Sequence, residues 1–436
     1  MRPSAGSAAA DVITVASIAG EAPFQMTAET PLRVNIVSIY FHPDMSGTSQ
    51  ILTDLAVGLS KMGCQVSVYT THPTFGSRSR AKRREIYNGV EIHRLFGTQF
   101  DKNHKIGRAI NSATFLASAF WTMLTRRVEG PFLIVSHPPF LEFAGYLVSR
   151  LRRRRYVYLV HDVFPDEAIT LGFINPNGLV RKAWDRANTL SVSHAAQVIV
   201  LSESMKAVMM KKGGHRSEAQ RFHVIHNWVD EAFIRPLAKS ENWFVTRHGL
   251  DNTFVVLYSG NLGQSHDLET MIAAAERLRE RDMTFLFIGD GGKKQKLEAL
   301  VQERGLRNVR FLPYQPRDVL PFSLTCSDVS LMALEKGIEG LQMPSKLYAI
   351  LASGRPVVAL VEAGFEIARL IDGAGCGRSV PPNDVEGLCR ALEFYYADRS
   401  ACDRAGRLGR QYLEAHFSRA RALREYYDVL RSVPRM

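Results

Sequence analysis

Short runs of β-branched and aromatic residues, almost free of charge, recur along the chain. Most are followed by a polar or glycine-containing turn and then a stretch with helical spacing of apolar positions. RVNIVSIYF (Arg33–Phe41) is the first run; SQILTDLAVGLSKMG after it repeats apolar residues at three and four, with Gly63 placed to end a helix. Similar runs occupy Gln65–Thr70, Pro131–His137, Tyr156–Asp162, Gln197–Ser202 and Phe222–Asn227. NWVDEAFIRPLAKSEN (227–242) has a proline and no period, and reads as a linker. The cycle restarts at Thr253–Asn261, Thr284–Gly291, Val309–Pro313, Asp328–Leu334 and Arg355–Val361. Strands covered on both faces have no polar side to alternate, so continuous apolar runs separated by helices predict parallel sheets with right-handed crossovers. The expected architecture is therefore α/β, with one doubly wound domain over 31–226 and a second from 243 onward. Ligands of such sheets sit at the carboxyl ends of the strands.

Two stretches break the pattern. Residues 1–30 are rich in Ala, Ser and Thr without a charged start and clean apolar core, and read as a disordered extension, not a signal peptide. AINSATFLASAFWTMLT (Ala109–Thr125) carries no charge, but it is short for a span and contains Asn, Ser and Thr, so a buried or interfacial helix is expected.

Composition narrows the class. The 436 residues are 46% hydrophobic and 22% charged, which excludes a disordered or collagenous chain. The five cysteines show no C-x-x-C pair, so neither a disulfide scaffold nor a structural zinc site fits; reduced, buried thiols in a cytosolic compartment do. A net charge of +12 favours anionic partners: nucleic acid, an acidic lipid surface or a phosphorylated substrate. The basic-aromatic interleaving of RNA-binding modules is absent, so no nucleic-acid partner is expected.

Candidate chemistry falls just after the strands. Gly47 and Thr48 open the first helix, where free amides and a close-approaching backbone suit an anion, although an ordinary turn would look the same. His161 and Asp162 follow an apolar strand; the histidine could polarise a hydroxyl and the carboxylate could hold one, or both could be satisfied strand-end residues. SGNLGQSHDLETMI (Ser259–Ile272) offers Gly260 and Gly263 as a phosphate-sized cradle, with Asn261 and His266 as neutral donors. GDGGKKQK (Gly289–Lys296) has half a dinucleotide fingerprint but no third glycine at the required spacing. Pro344, Ser345 and Lys346 open an apolar helix, and the lysine supplies a full charge suited to a diphosphate.

Taken together, YSGNLGQSHDLETMI, FIGDGGKKQKLEAL, VRFLPYQP and MPSKLYAILASGRPVVA resemble family 4 of the retaining glycosyltransferases, in particular the colanic-acid and N-acetylfucosamine transferase branch. SIYFHPDMSGTSQILTDLAVGLSKMGCQVSVYTTHP, LVHDVFPDEAITLGFI and HNWVDEAFIRPL extend the likeness, which covers about 32 to 430. The resemblance implies the GT-B fold: two Rossmann-like domains face across a cleft, the second (243–410) holds a nucleotide-sugar, and a last helix (411–436) crosses back to the first. It places Gly47 and Thr48 near the transferred sugar and the diphosphate. His161 falls at the histidine contacting that sugar and Lys346 at the PSK lysine; these are the catalytic candidates. Gly260, Asn261, His266, Pro344 and Ser345 join the donor side, Gly289, Asp290 and Gly291 face the nucleoside, and Leu312 and Pro313 lie beside the base. Asp162 is assigned to the acceptor side.

Departures from the family are specific. Asn261 and His266 stand where many members carry Arg and Lys, and Leu341 and Ala349 where an acidic pair is common, so ribose must be held otherwise. No D-x-D occurs, and neither a metal nor a cofactor is expected. Arg78, Arg80, Lys82, Arg83 and Arg84 read as a basic loop, and Arg150 with Arg152 to Arg155 as a contact for anionic lipid. The expected activity is sugar transfer from a nucleotide-sugar, UDP-linked by resemblance, to a polyprenyl-diphosphate-linked saccharide, with retention, by a cytoplasmic protein peripheral on the inner membrane face. A nucleotide-sugar 2-epimerase of the same fold and a non-catalytic nucleotide-sugar-binding subunit are the alternatives.

Overall fold

A computed structural model describes residues 31–44, 46–73, 81–100, 105–214 and 218–434. The 1–30 extension and Arg78 and Arg80 of the basic loop lie outside the described residues. Fourteen strands are seen among them. The first eight are β1 Arg33–Val37, β2 Gln65–Thr70, β3 Arg84–Tyr87, β4 Val90–Arg94, β5 Phe132–Val135, β6 Tyr156–Leu159, β7 Gln197–Val200 and β8 Phe222–Val224. The others are β9 Phe254–Ser259, β10 Met283–Ile288, β11 Val309–Leu312, β12 Val329–Ala333, β13 Val357–Leu360 and β14 Gly377–Val380. They form one sheet in the order β3-β4-β2-β1-β5-β6-β7-β8 and another in the order β11-β10-β9-β12-β13-β14. Every pairing is parallel except β3 with β4. The central strands β5, β6, β10 and β13 are buried along their whole length, as helices on both faces require.

Three features differ from the sequence reading. The stretch after β2 is not only a basic loop: Arg84 begins a hairpin, turned at Asn88 and Gly89, both at positive φ. β14 was not anticipated. Several strands also end two to four residues before their apolar runs do. At β6 the reason is visible: the amides of His161 and Asp162 donate to Ser136 Oγ at 3.0 and 3.2 Å, which takes them out of strand pairing. All five cysteines are buried and unpaired.

The chain crosses between the sheets twice. The 227–242 segment buries Trp228, whose Nε1 donates to Asp54 Oδ2 of the first domain at 2.6 Å. At the C-terminus, Arg399–His416 packs on the Lys346–Ala352 helix of the second domain, and a separate helix, Arg419–Ser432, returns to the first. There Leu423 lies over Gly58 in the helix Gly47–Lys61, and Arg419 Nε meets the same Asp54 oxygen at 2.6 Å. The segment read as one helix over 411–436 is thus broken, and Ser418 caps its second part.

A further tie joins the domains. Glu366 of the second domain accepts from Ser204 N and Ser204 Oγ, both at 2.9 Å, and from Glu203 N at 3.2 Å, capping the first-domain helix Glu203–Gly213 from outside. Glu366→Ala should cost about 1–2 kcal/mol, the value of a helix cap. It should be read as a lowered thermal midpoint that Glu366→Gln partly restores.

Candidate active site

The carboxyl ends of the two sheets face a cavity of about 560 Å³ between the domains. The first domain supplies Gly47 and Gln50, the crossing segment Trp228 and Asp230, and the second domain Gly260, Asn261, His266, Pro344, Ser345 and Lys346. Gly47 sits where it does because the second domain is close: a Cβ there would lie 3.2 Å from Ser345 Oγ.

Lys346 is the centre of the site. Its Nζ donates to the Tyr258 hydroxyl and lies 3.8 Å from the centroid of that ring. No carboxylate among the described residues stands within ion-pair distance of it. Part of the residue faces the cavity, yet the ammonium is deep enough that burial pulls its pKa down to about 7. His266 is buried beside it. Burial first, then the charges of Lys346 and Lys293, hold that imidazole well below its ordinary pKa, and its Nδ1 has no hydrogen-bond partner among the described residues. Lys293 is committed elsewhere, bonded to Glu335 at 2.7 Å, the His266 carbonyl at 2.8 Å and Glu269 at 2.9 Å. A cation without a counter-ion inside a cleft is costly unless an anion completes it.

The glycine turns after β9 and β10 are explained by backbone contact. A Cβ on Gly289 would fall 1.9 Å from the Gly260 carbonyl oxygen, and one on Gly291 2.5 Å from that of Leu262. Gly289 (φ +150°) and Gly291 (φ +155°) therefore let two turns pack backbone to backbone. They do not line the cavity. The Gly291 amide is occupied, donating to Asp290 Oδ1 at 2.9 Å. Leu312 and Pro313 are also outside the lining, their carbonyls taken by Gly289 N and Gln315 Nε2. The cavity wall there is Tyr314, Gln315 and Arg317, which the sequence reading missed. The signal available was the tyrosine directly after VRFLP, a ring with a polar tip just past the end of a strand. Thr48 is half-buried and not part of the wall, and the wall at Ala349 carries no carboxylate.

His161 and Asp162 lie in a different place: neither lines the cavity. They belong to a buried cluster at the ends of β5 and β6. Burial, then His137, holds His161 down to about 3, and its Nε2 has no hydrogen-bond partner among the described residues. Asp162 Oδ2 is 3.3 Å from His137 Nε2, an ion-pair distance. Burial lowers His137 to about 4 and raises Asp162 to about 7, so burial disfavours the charged form of both partners. Backbone pairing connects this cluster to the cavity. Asp162 bridges Gln342 in antiparallel fashion and Val163 N donates to Leu341 O at 2.8 Å, four or five residues before Lys346.

Two doubly wound domains with their strand ends on one inter-domain cavity form the GT-B fold of glycosyltransferases. Solved structures share it: sucrose-phosphate synthase of Thermosynechococcus elongatus superposes with a TM-score of 0.73 at 17% identity, covering 92% of this chain and 98% of its own. Anabaena HepE in complex with UDP-glucose does so with a TM-score of 0.71 at 17% identity, covering 92% and 100%. In sequence, the description "Glycosyltransferase Family 4" matches residues 45–233 and "Glycosyl transferases group 1" matches 253–398. WcaI of Escherichia coli (strain K12), named as a colanic acid biosynthesis glycosyl transferase, is 27% identical over 92% of this chain and 100% of its own. The glycosyltransferase WbjE of Pseudomonas aeruginosa is 28% identical over 76% and 82%. The chain thus carries a family 4 glycosyltransferase domain followed by a group 1 glycosyl transferase domain.

Proposed function

We propose that this glycosyltransferase moves a sugar from a UDP-linked donor to a polyprenyl-diphosphate-linked saccharide, with retention of configuration and without a metal. The observation that carries the donor reading is Lys346, a cation with no carboxylate partner in a cavity with donor-sized room. A diphosphate placed against it would complete the charge and leave with its developing negative charge stabilised. The UDP-glucose in the HepE structure supports the nucleotide, and WcaI's name supports a surface-polysaccharide acceptor. Asp162 stands in this reading at the acceptor side, while His161, expected at the transferred sugar, is buried outside the cavity lining. The absence of a D-x-D leaves diphosphate charge to Lys346 and backbone amides.

The membrane part rests on an exposed face. No helix among the described residues is long and apolar enough to cross a membrane. The helix Lys105–Thr125 nevertheless turns Ile106, Ile110, Ala113, Ala117 and Trp121 outward in one stripe. Arg126 and Arg127 follow it, and Arg150, Arg152, Arg153 and Arg155 are exposed at the end of the neighbouring helix Leu141–Arg152. Arg154 is not available to lipid in the same way, since it donates to the carbonyls of Arg126 and Val128. An apolar stripe edged by arginine suits the plane of an anionic bilayer surface.

The test is transfer by the purified full chain from UDP-sugars to lipid-linked saccharide, with and without EDTA, the product anomer read by NMR. EDTA-insensitive transfer with the donor's anomeric configuration is expected. Isomerised donor without acceptor would replace this reading with the epimerase, and binding without turnover across an acceptor panel with the non-catalytic subunit.

A further inference from the structure

We propose that Tyr258 is a positioning residue for donor binding, its phenol oxygen fixing the Lys346 ammonium and the Gly260–Asn261 turn in one arrangement. The inference rests on the reading of Lys346 as the diphosphate lysine. Tyr258 lies on β9 and is fully buried. Its hydroxyl works in both directions: the proton is donated to the Asn261 carbonyl at 2.8 Å, and the oxygen accepts from Lys346 Nζ. The same ammonium sits over the ring, 3.8 Å from its centroid, where the negative π-face attracts a cation. Gly260, at φ +141°, takes a backbone conformation that other residues rarely adopt, and the Lys346 side chain lies beside it, 3.4 Å from where a Cβ would stand.

The choice of a phenol has a physical consequence. A carboxylate at this position would neutralise Lys346 and compete with an incoming anion. A neutral oxygen and a ring face orient the ammonium while leaving its charge unspent. Burial keeps the phenol protonated, its pKa held well above the ordinary value, with the charge of Tyr314 a lesser cause. The other groups around the ammonium do not take over this role. His266 is held neutral by burial and by the two lysines, Lys293 is bonded to Glu269 and Glu335, and the Asp290 carboxylate on the β10 turn accepts from Gly291. A long flexible lysine therefore has one side-chain acceptor among the described residues, and that acceptor also fixes the glycine turn beside it.

Calorimetry with the full chain tests this, using UDP and inorganic diphosphate as probes. Tyr258→Phe keeps the ring and removes the oxygen, and should weaken both probes about three- to tenfold. In a Lys346→Met background the same change should cost almost nothing further, because the two side chains act as one unit. The pH at which affinity begins to fall should also move toward acid in Tyr258→Phe, since the ammonium loses an acceptor. Additive losses with an unmoved pH profile would assign the phenol only to the Asn261 turn and overturn the proposal. If Tyr258→Phe fails to fold, 4-aminophenylalanine at 258, an uncharged donor to the Asn261 carbonyl and a poorer acceptor of nearly the same shape, should give the same acid shift; an unmoved profile would overturn it equally. If Lys346→Met itself leaves UDP and diphosphate binding unchanged, the donor reading fails instead.

Discussion

Lys346→Met should lower affinity for a UDP-sugar by at least about tenfold, since a charge-assisted hydrogen bond is worth roughly 1.5–3 kcal/mol. The fold should be intact, because Met fills most of the same space against the Tyr258 ring. The pH dependence gives a sharper signature. Burial holds the free ammonium at about 7, far below the ordinary lysine value. A bound diphosphate favours the charged form and raises that pKa. Donor affinity in the wild type should therefore be level below pH 7 and fall as pH rises above it, by up to about tenfold per pH unit until the bound-state pKa is reached. Stability of the free protein runs the other way. The unfolded chain binds more protons at this lysine between about pH 7 and its ordinary pKa, so the cost of burying the charge is full below pH 7 and lifts as pH rises. Lys346→Met should remove both dependences. Titration calorimetry across pH 6 to 9 checks the first, and thermal melts across the same range check the second. A variant that binds UDP-sugar as the wild type does would take the residue out of the site.

Vesicle binding should depend even more strongly on the outward stripe of the Lys105–Thr125 helix. Ile106 is 76% exposed, Trp121 65% and Ile110 40%, an unusual amount of large apolar surface on one helix face. Burying such side chains is worth up to roughly 1.5–3 kcal/mol each, and each basic residue near an anionic surface adds about 1 kcal/mol. The triple change of Ile106, Ile110 and Trp121 to Ser should reduce binding to anionic vesicles by more than about hundredfold. Replacing Arg150, Arg152 and Arg153 by Gln should weaken it less and reduce its salt sensitivity. Neither set should alter UDP-sugar affinity, since none of these residues lines the cavity. Co-sedimentation with anionic and neutral vesicles at low and raised salt measures all of this. Equal binding to neutral vesicles would mean that the stripe acts alone; no binding to either would point to a soluble acceptor.

The sequence was most informative where burial is extreme. Runs such as those at β5, β6 and β10 are apolar on both faces, and only a covered parallel sheet accommodates them. The β3–β4 hairpin was missed because REIY and VEIHR carry charge on a sheet edge, although Asn88-Gly89 between them is the turn such a hairpin needs. In the site, Lys346, Gly260, Asn261 and His266 were legible because glycine and charge at strand ends have few other uses. Tyr258 was not: within FVVLYS it reads as one more buried strand residue, and only the third dimension puts its hydroxyl against Lys346. The glycines of GDGG misled in the opposite sense, since their freedom serves contact between two turns. His161 does follow its strand, which the Ser136 hydroxyl helps to end, but it is buried outside the cavity lining.

The seam between Val163 and Leu341 and between Asp162 and Gln342 is made of main chain. Its hydrogen bonds ask nothing of side-chain identity, whereas the Asp54–Arg419–Trp228 and Glu366–Ser204 contacts do. Recombining halves from related transferases would therefore leave the main-chain seam intact and fail, if it fails, at these side-chain contacts. A swapped acceptor half that brings its own partners for Arg419, Trp228 and Glu366 has what it needs to dock. The two domains are thus joined by main-chain pairing that many sequences could make and by side-chain contacts that few could.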